Sequence, residues 1–101
     1  MMLSRSLKGS IALVTGAGSG MGAATAGVFA AEGAHVAVTD HDFAAAEAVA
    51  ADLTARGQSA TAWKLDVTDT DQINAVVGEI AGKFGGLDIV INKPGFQPSP
   101  P

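Results

Sequence analysis

Residues 15–22 read Thr15-Gly16-Ala17-Gly18-Ser19-Gly20-Met21-Gly22, with glycine at every second position. The apolar run Ile11-Ala12-Leu13-Val14 leads into this segment and an alanine-rich stretch follows it. A strand that enters a helix through such a turn aims backbone N–H groups and the positive end of the helix dipole at one point. The chemistry this suits is anion binding, and a diphosphate could be held there without any side-chain cation. Thr15, Gly16, Gly18, Ser19, Gly20, Met21 and Gly22 are the candidate residues. The turn fits the general dinucleotide pattern G-x-G-x-x-G/A at Gly18, Gly20 and Ala23, and the longer pattern T-G-x-x-x-G-x-G at Thr15, Gly16, Gly20 and Gly22. The alternative for such a turn is close packing of helix on strand with no ligand.

A second group with chemistry is Asp40, eighteen residues after Gly22 at the close of the next apolar run. A carboxylate at that place accepts hydrogen bonds from both hydroxyls of an adenosine ribose and repels a 2′-phosphate. No lysine or arginine lies in the glycine turn or beside Asp40, so NAD is expected over NADP. Asp40 or Asp42 could instead cap the helix that starts near Phe43; Asp42 is the better placed, and the two roles can coexist. His35 and His41 lack a second group at metal-ligand spacing, so surface or turn roles are expected and no metal. Ser19 has no histidine or lysine in a local motif to activate it. There is no tyrosine and no cysteine.

Four short apolar runs, 10–14, 34–39, 59–65 and 87–91, have strand length and β-branched content. Between them lie three segments of helical period. In the third, Ile73, Val76, Val77, Ile80 and Phe84 form one apolar stripe; in the second, Phe43, Ala46, Ala50 and Leu53 do so; in the first, Met21, Ala24, Val28 and Ala31 are expected to face inward. Gly33, Gly57 and Gly85 sit where left-handed C-terminal caps are wanted, and the cluster 68–71 offers N-cap oxygens to the third helix. This alternation implies right-handed crossovers and an α/β, Rossmann-like, doubly wound parallel sheet of order 3-2-1-4. The switch point falls at the carboxyl ends of strands 1 and 4, beside the glycine turn. Trp63 is expected to pack in the core or at an edge.

At 101 residues, 48% hydrophobic and 16% charged, the chain has the balance of one folded domain, although twenty of its apolar residues are alanine. A net charge of −4 disfavours nucleic acid and anionic membranes as partners. Apolar runs fall far short of a membrane span, and residues 1–10 contain no secretory h-region. A cytoplasmic protein is expected. Its domains read as an N-terminal tail at 1–7, a partial dinucleotide-binding domain at 8–92 and a loose proline-rich tail at 93–101. Strand 4 is apolar on both faces, as an internal strand would be, so the sheet reads as truncated and its outer edge as a place for self-association or a partner chain.

The T-G-x-x-x-G-x-G turn, Asp40 and the order of elements resemble the short-chain dehydrogenase/reductase family from about Leu7 to Asn92. The resemblance implies a hydride-transferring oxidoreductase that uses NAD(P). Asp66-Val67 resembles the family's adenine pocket, with the carboxylate on the exocyclic amine and Val67 framing the ring; a plain strand end is the other reading. Asn92 and Gly95 resemble the first and last positions of the family's N-N-A-G segment, whose middle is Lys93-Pro94 here. Pro94 lacks a backbone donor and pushes Lys93 toward extended geometry, which weakens the case for ribose contacts there. The tyrosine of Y-x-x-x-K, its lysine and the carbonyl-holding serine that the resemblance implies map to no residue. The reading is therefore the N-terminal, cofactor-binding half of such an enzyme, inactive alone and consistent with a frameshifted or partial gene product. The alternatives are a non-catalytic module that pairs through strand 4, or a nucleotide sensor without turnover.

Overall fold

A computed structural model describes residues 7–92 of the chain. Its elements are β1 (Ile11–Val14), α1 (Gly20–Ala31), β2 (His35–Asp40), α2 (Phe43–Ala55), β3 (Ser59–Lys64), α3 (Thr70–Phe84) and β4 (Ile89–Ile91). The strands form one sheet of order β3-β2-β1-β4, parallel throughout. The α/β doubly wound architecture is the one that the alternating pattern implies. The segment 93–101, with Lys93, Pro94 and Gly95, lies outside the described residues.

Register explains how an alanine-rich chain builds two cores. Ala12 and Val14 of β1 pair with Val36 and Val38 of β2 and face α1 and α2, meeting Ala26, Ala30, Ala46, Ala50 and Leu53. The intervening Leu13 and Ala37 point to the other side, where Val76 and Ile80 of α3 cover them. Strand alternation thus sends each second residue to a different helix layer. The third helix lies opposite the first two, as right-handed crossovers on either side of β1 require.

The helix ends follow their local chemistry. Asp42 accepts from Ala45 N at 3.2 Å and Asp69 from Gln72 N at 3.1 Å, capping α2 and α3. Gly33, Gly57 and Gly85 all have positive φ, as C-terminal caps demand.

The expected inner face of α1 is wrong. Met21 and Val28 are 74% and 61% exposed, Ala24 and Ala31 are exposed too, and the buried residues are Gly22, Ala26 and Ala30. Close approach to β1 and the loop favours small side chains on that face, so Met21 and Val28 turn outward, while Phe29 packs partly buried against the same core. Phe43 likewise is 41% exposed at the start of α2. The fourth strand is shorter than expected because Asp88 serves as its entry lock: Oδ2 accepts from Ile11 N and Asp88 N donates to Ile11 O, both at 2.9 Å. Trp63 is half-buried against the α3 cluster and donates from Nε1 to Thr61 Oγ1 at 3.1 Å. No helix among the described residues is long and apolar enough to cross a membrane.

Candidate functional site

The glycine turn is anchored at its start by the strands around it. Thr15 N donates to Ile91 O at 2.9 Å, Ala17 N to Thr39 O at 2.8 Å, and Gly18 N to Asp40 Oδ2 at 2.9 Å. The buried Thr39 hydroxyl donates to Val14 O at 2.8 Å, which fixes β2 against the last residue of β1. The start of the turn is thus tied to all three strands around it.

Two glycines are required by space. A Cβ on Gly22 would lie 2.1 Å from Gly16 O, so the first turn of α1 rests directly on the backbone of the loop. On Gly18 it would lie 2.7 Å from Ala45 Cβ and 2.8 Å from Asp40 Oδ2. Gly16 and Gly20 both have φ of 60°, a conformation that costs other L-residues roughly 1–2 kcal/mol.

Beyond Gly20 the amides run free. The Ser19 side chain makes no capping bond and Ala23 N donates to Ser19 O at 3.3 Å. The amides of Gly20, Met21 and Gly22 then have no intrahelical acceptor. Neither end of α1 carries a compensating charge: its first turn holds no acidic residue, so an incoming anion meets the dipole unopposed.

These amides open onto a cleft of about 810 Å³ lined by Gly16, Ser19, Gly20, Met21, Gly22, Asp40, His41, Leu65, Asp66, Val67 and Thr68. The chain thus brings together the glycine turn, the end of β2 and the segment after β3. Leu65 N donates to Asp40 O at 3.0 Å, which sets the floor between the last two. Gly18 and Thr15 stand behind the wall: Gly18 holds Asp40, and the Thr15 hydroxyl donates to Asn92 Oδ1 at 2.9 Å. Asn92 is exposed and tied to the turn through Thr15, at the end of β4.

Asp40 is nearly buried, at 8% exposure. Its Oδ1 accepts from Asp42 N at 2.9 Å and lies 3.1 Å from His41 Nδ1. Asp42, not Asp40, caps α2. Asp66 lies two residues past the end of β3 and accepts from both the hydroxyl and the amide of Thr68, at 2.6 and 2.9 Å. Those two hydrogen bonds hold its carboxyl below the usual carboxylate range, so it is ionised at neutral pH. Gln72 Oε1 accepts from Asp66 N, fastening this loop to α3.

Sequence reasoning assigned His41 to the surface and did not foresee Leu65 or Thr68 in the wall. The ring of His41 is indeed 82% exposed, yet it stands in the cleft between two carboxylates. The signal was its position one residue past Asp40. Among the described residues no group of three or more His, Cys, Asp or Glu could hold a metal ion.

Comparison with known proteins places this geometry. The profile of the short chain dehydrogenase family matches residues 10–101. Galactitol 2-dehydrogenase of Agrobacterium fabrum is 50% identical over 86 residues, which are 85% of this chain and 32% of that protein. D-threitol dehydrogenase of Mycolicibacterium smegmatis is 40% identical over 89 residues, 88% of this chain and 34% of that protein. The chain spans about a third of the length of these relatives. A crystal structure of hydroxysteroid dehydrogenase from Escherichia coli superposes with a TM-score of 0.83 at 36% identity, covering 86% of this chain and 37% of that one. This chain belongs to the short-chain dehydrogenase family of NAD(P)-binding oxidoreductases.

Proposed function

We propose that the chain binds NAD, as the N-terminal nucleotide-binding portion of a short-chain dehydrogenase. The observation that carries this reading is the convergence of three unengaged α1 amides, the Asp40 carboxylate and the Asp66-Val67 segment on one cleft. The residues fit the group. The lack of a Cβ at Gly22 lets the Gly16 backbone rest on the first turn of α1, so the start of the helix, with the amides of Gly20, Met21 and Gly22, borders the cleft where a diphosphate would be held. Asp40 would meet the adenosine ribose, while Asp66 and Val67 would frame the adenine. Asn92, held by Thr15, would face the nicotinamide half.

Charge decides between the two dinucleotides. The cleft wall includes two carboxylates and neither lysine nor arginine, so a 2′-phosphate placed near Asp40 meets repulsion without a fixed cation to offset it. When bound, NAD supplies a hydride acceptor. The residues of this chain bind and orient it but offer no proton donor of the tyrosine type, since none of its 101 residues is tyrosine. Binding without turnover is the proposed state of these residues taken alone.

Titration calorimetry of the folded chain with NAD and NADP tests this. Saturable NAD binding, with NADP weaker by tenfold or more at pH 8, supports the reading. A folded chain that takes up neither nucleotide refutes it, and equal affinity refutes the role given to Asp40. A second reading, pairing with another copy through the outer edge of β4, draws on Val90 at 57% exposure; a concentration-independent monomer in light scattering would dismiss it.

A further inference from the structure

Met21 is the most exposed of the large apolar side chains among the described residues, at 74%, ahead of Val28, Val90 and Phe43. Of these four it alone lines the cleft. It lies in the first turn of α1, between Gly20 and Gly22, in the segment whose amides have no intrahelical acceptor. A helical side chain leans toward the helix N-terminus, so the thioether is directed back over those amides.

The same thioether is open to oxidation. The sequence has no cysteine and three methionines, Met1, Met2 and Met21, so peroxide finds no thiol and reaches the Met21 sulfur through solvent. We propose that Met21 is a redox modification site, and that its oxidation to the sulfoxide by hydrogen peroxide weakens dinucleotide binding in the cleft. The proposal rests on the NAD-binding reading above. In the reaction the sulfur gives an electron pair to one peroxide oxygen. The O–O bond breaks, an S–O bond forms, and the second oxygen leaves as water with both protons. A sulfoxide reductase reverses the change, with a dithiol supplying two electrons and becoming a disulfide while the oxygen departs as water.

The consequence follows from polarity. A thioether is a weak acceptor and leaves the amides at the start of α1 to an anion. A sulfoxide is polar, and its oxygen carries partial negative charge that the helix dipole favours at this end. The first turn holds no acidic residue and the Ser19 side chain makes no capping bond, so no other side chain there competes for the amides. Amides engaged by the sulfoxide are lost to a diphosphate, and the same oxygen repels phosphate oxygens. Conversely, a bound nucleotide covers the side chain and shields the sulfur from peroxide.

The test treats the full 101-residue chain with hydrogen peroxide and follows the tryptic peptide 9–56, in which Met21 is the sole methionine, by mass spectrometry. Calorimetry then gives Kd for NAD. We expect oxidation of Met21 to weaken NAD about tenfold, as loss of one charge-assisted hydrogen bond would. Treatment with both epimer-specific sulfoxide reductases should restore it. In Met21→Leu, where Met1 and Met2 still oxidise, peroxide should leave that variant's own affinity where it was. Met21→Gln, which sets a neutral amide oxygen in place of the sulfoxide, should bind NAD severalfold more weakly than Met21→Leu. NAD at about ten times its Kd should slow the oxidation of Met21 about tenfold, because few molecules are then unliganded. Without NAD, the urea midpoint of the oxidised chain should be unchanged or higher, since the new oxygen satisfies amides at the helix start. Full NAD affinity with Met21 oxidised would overturn the proposal, as would an equal peroxide-induced loss in Met21→Leu, a urea midpoint that falls along with the affinity, or oxidation that saturating NAD does not slow. Failure of the folded, untreated chain to bind NAD would overturn the binding reading and this one with it.

Discussion

Gly22→Ala is the sharpest perturbation available. The added Cβ would stand 2.1 Å from Gly16 O and 2.7 Å from Gly16 C, against a limit of 3.0 Å below which Cβ contacts are essentially not found. Relief requires the start of α1 to retreat from the loop by roughly 1 Å, because the obstacle is backbone and cannot rotate away. An amide–phosphate hydrogen bond of ordinary length, stretched by that amount, ceases to be one. Loss of one charge-assisted bond of about 1.5–3 kcal/mol corresponds to a ten- to hundredfold fall in NAD affinity. Overpacking should also reduce folding stability by about 1–3 kcal/mol. Gly78→Ala is the matched control: a Cβ there meets nothing within 4 Å, and an exposed mid-helix glycine replaced by alanine should gain about 0.5–1 kcal/mol. Urea denaturation and calorimetry with NAD read both effects. Should Gly22→Ala bind NAD as well as the unaltered chain, the α1 amides are not what grips the diphosphate.

Asp40→Asn removes the charge that faces a 2′-phosphate, and the NADP-to-NAD affinity ratio should rise at least tenfold, since unit charges about 4 Å apart repel by about 1 kcal/mol in water and about 4 kcal/mol near a protein surface; an unchanged ratio in calorimetry contradicts this. Asp69→Ala deletes the cap on α3 and should lower stability by about 1 kcal/mol in urea denaturation with NAD affinity intact. His35 is half-buried against Phe84, its ring 4.2 Å away, and burial, reinforced by Lys83, pushes its pKa below the ordinary value. Because the folded state then holds the proton more weakly than the unfolded state, stability is full above about pH 6.5 and declines as pH falls through the lowered value. His35→Gln should flatten that acid-side decline in denaturation midpoints, and parallel curves for the two proteins would contradict the assignment.

Much of the architecture was legible because hydropathy and geometry agree in β1, β2 and α3. Alternating Leu13 against Ala12 and Val14 assigns the two faces of β1, and the stripe from Ile73 to Phe84 marks α3, which packs at a distance that accepts large side chains. The same reasoning misplaced α1. There the informative residues are the smallest, Gly22, Ala26 and Ala30 at four-residue spacing, because the helix lies against the loop backbone; hydropathy gives weight instead to Met21 and Val28, which point to water. At the site, Asp40 was legible from its distance to the glycine turn, but its bond to Gly18 N depends on the path of the turn. The tie from Thr15 to Asn92 is a product of β1–β4 register. His41 was assigned a surface or turn role because a lone histidine carries no pattern, and its place in the cleft wall comes from the fold.

The central claim is that backbone amides at the start of α1 hold the diphosphate of a dinucleotide. Amide-resolved NMR of the folded chain during titration with NAD tests it most directly. The account predicts saturable shifts concentrated at Gly20, Met21 and Gly22, with Asp40, His41 and Val67 following. Saturation with those three amides unmoved, or a well-dispersed spectrum indifferent to NAD, would contradict it.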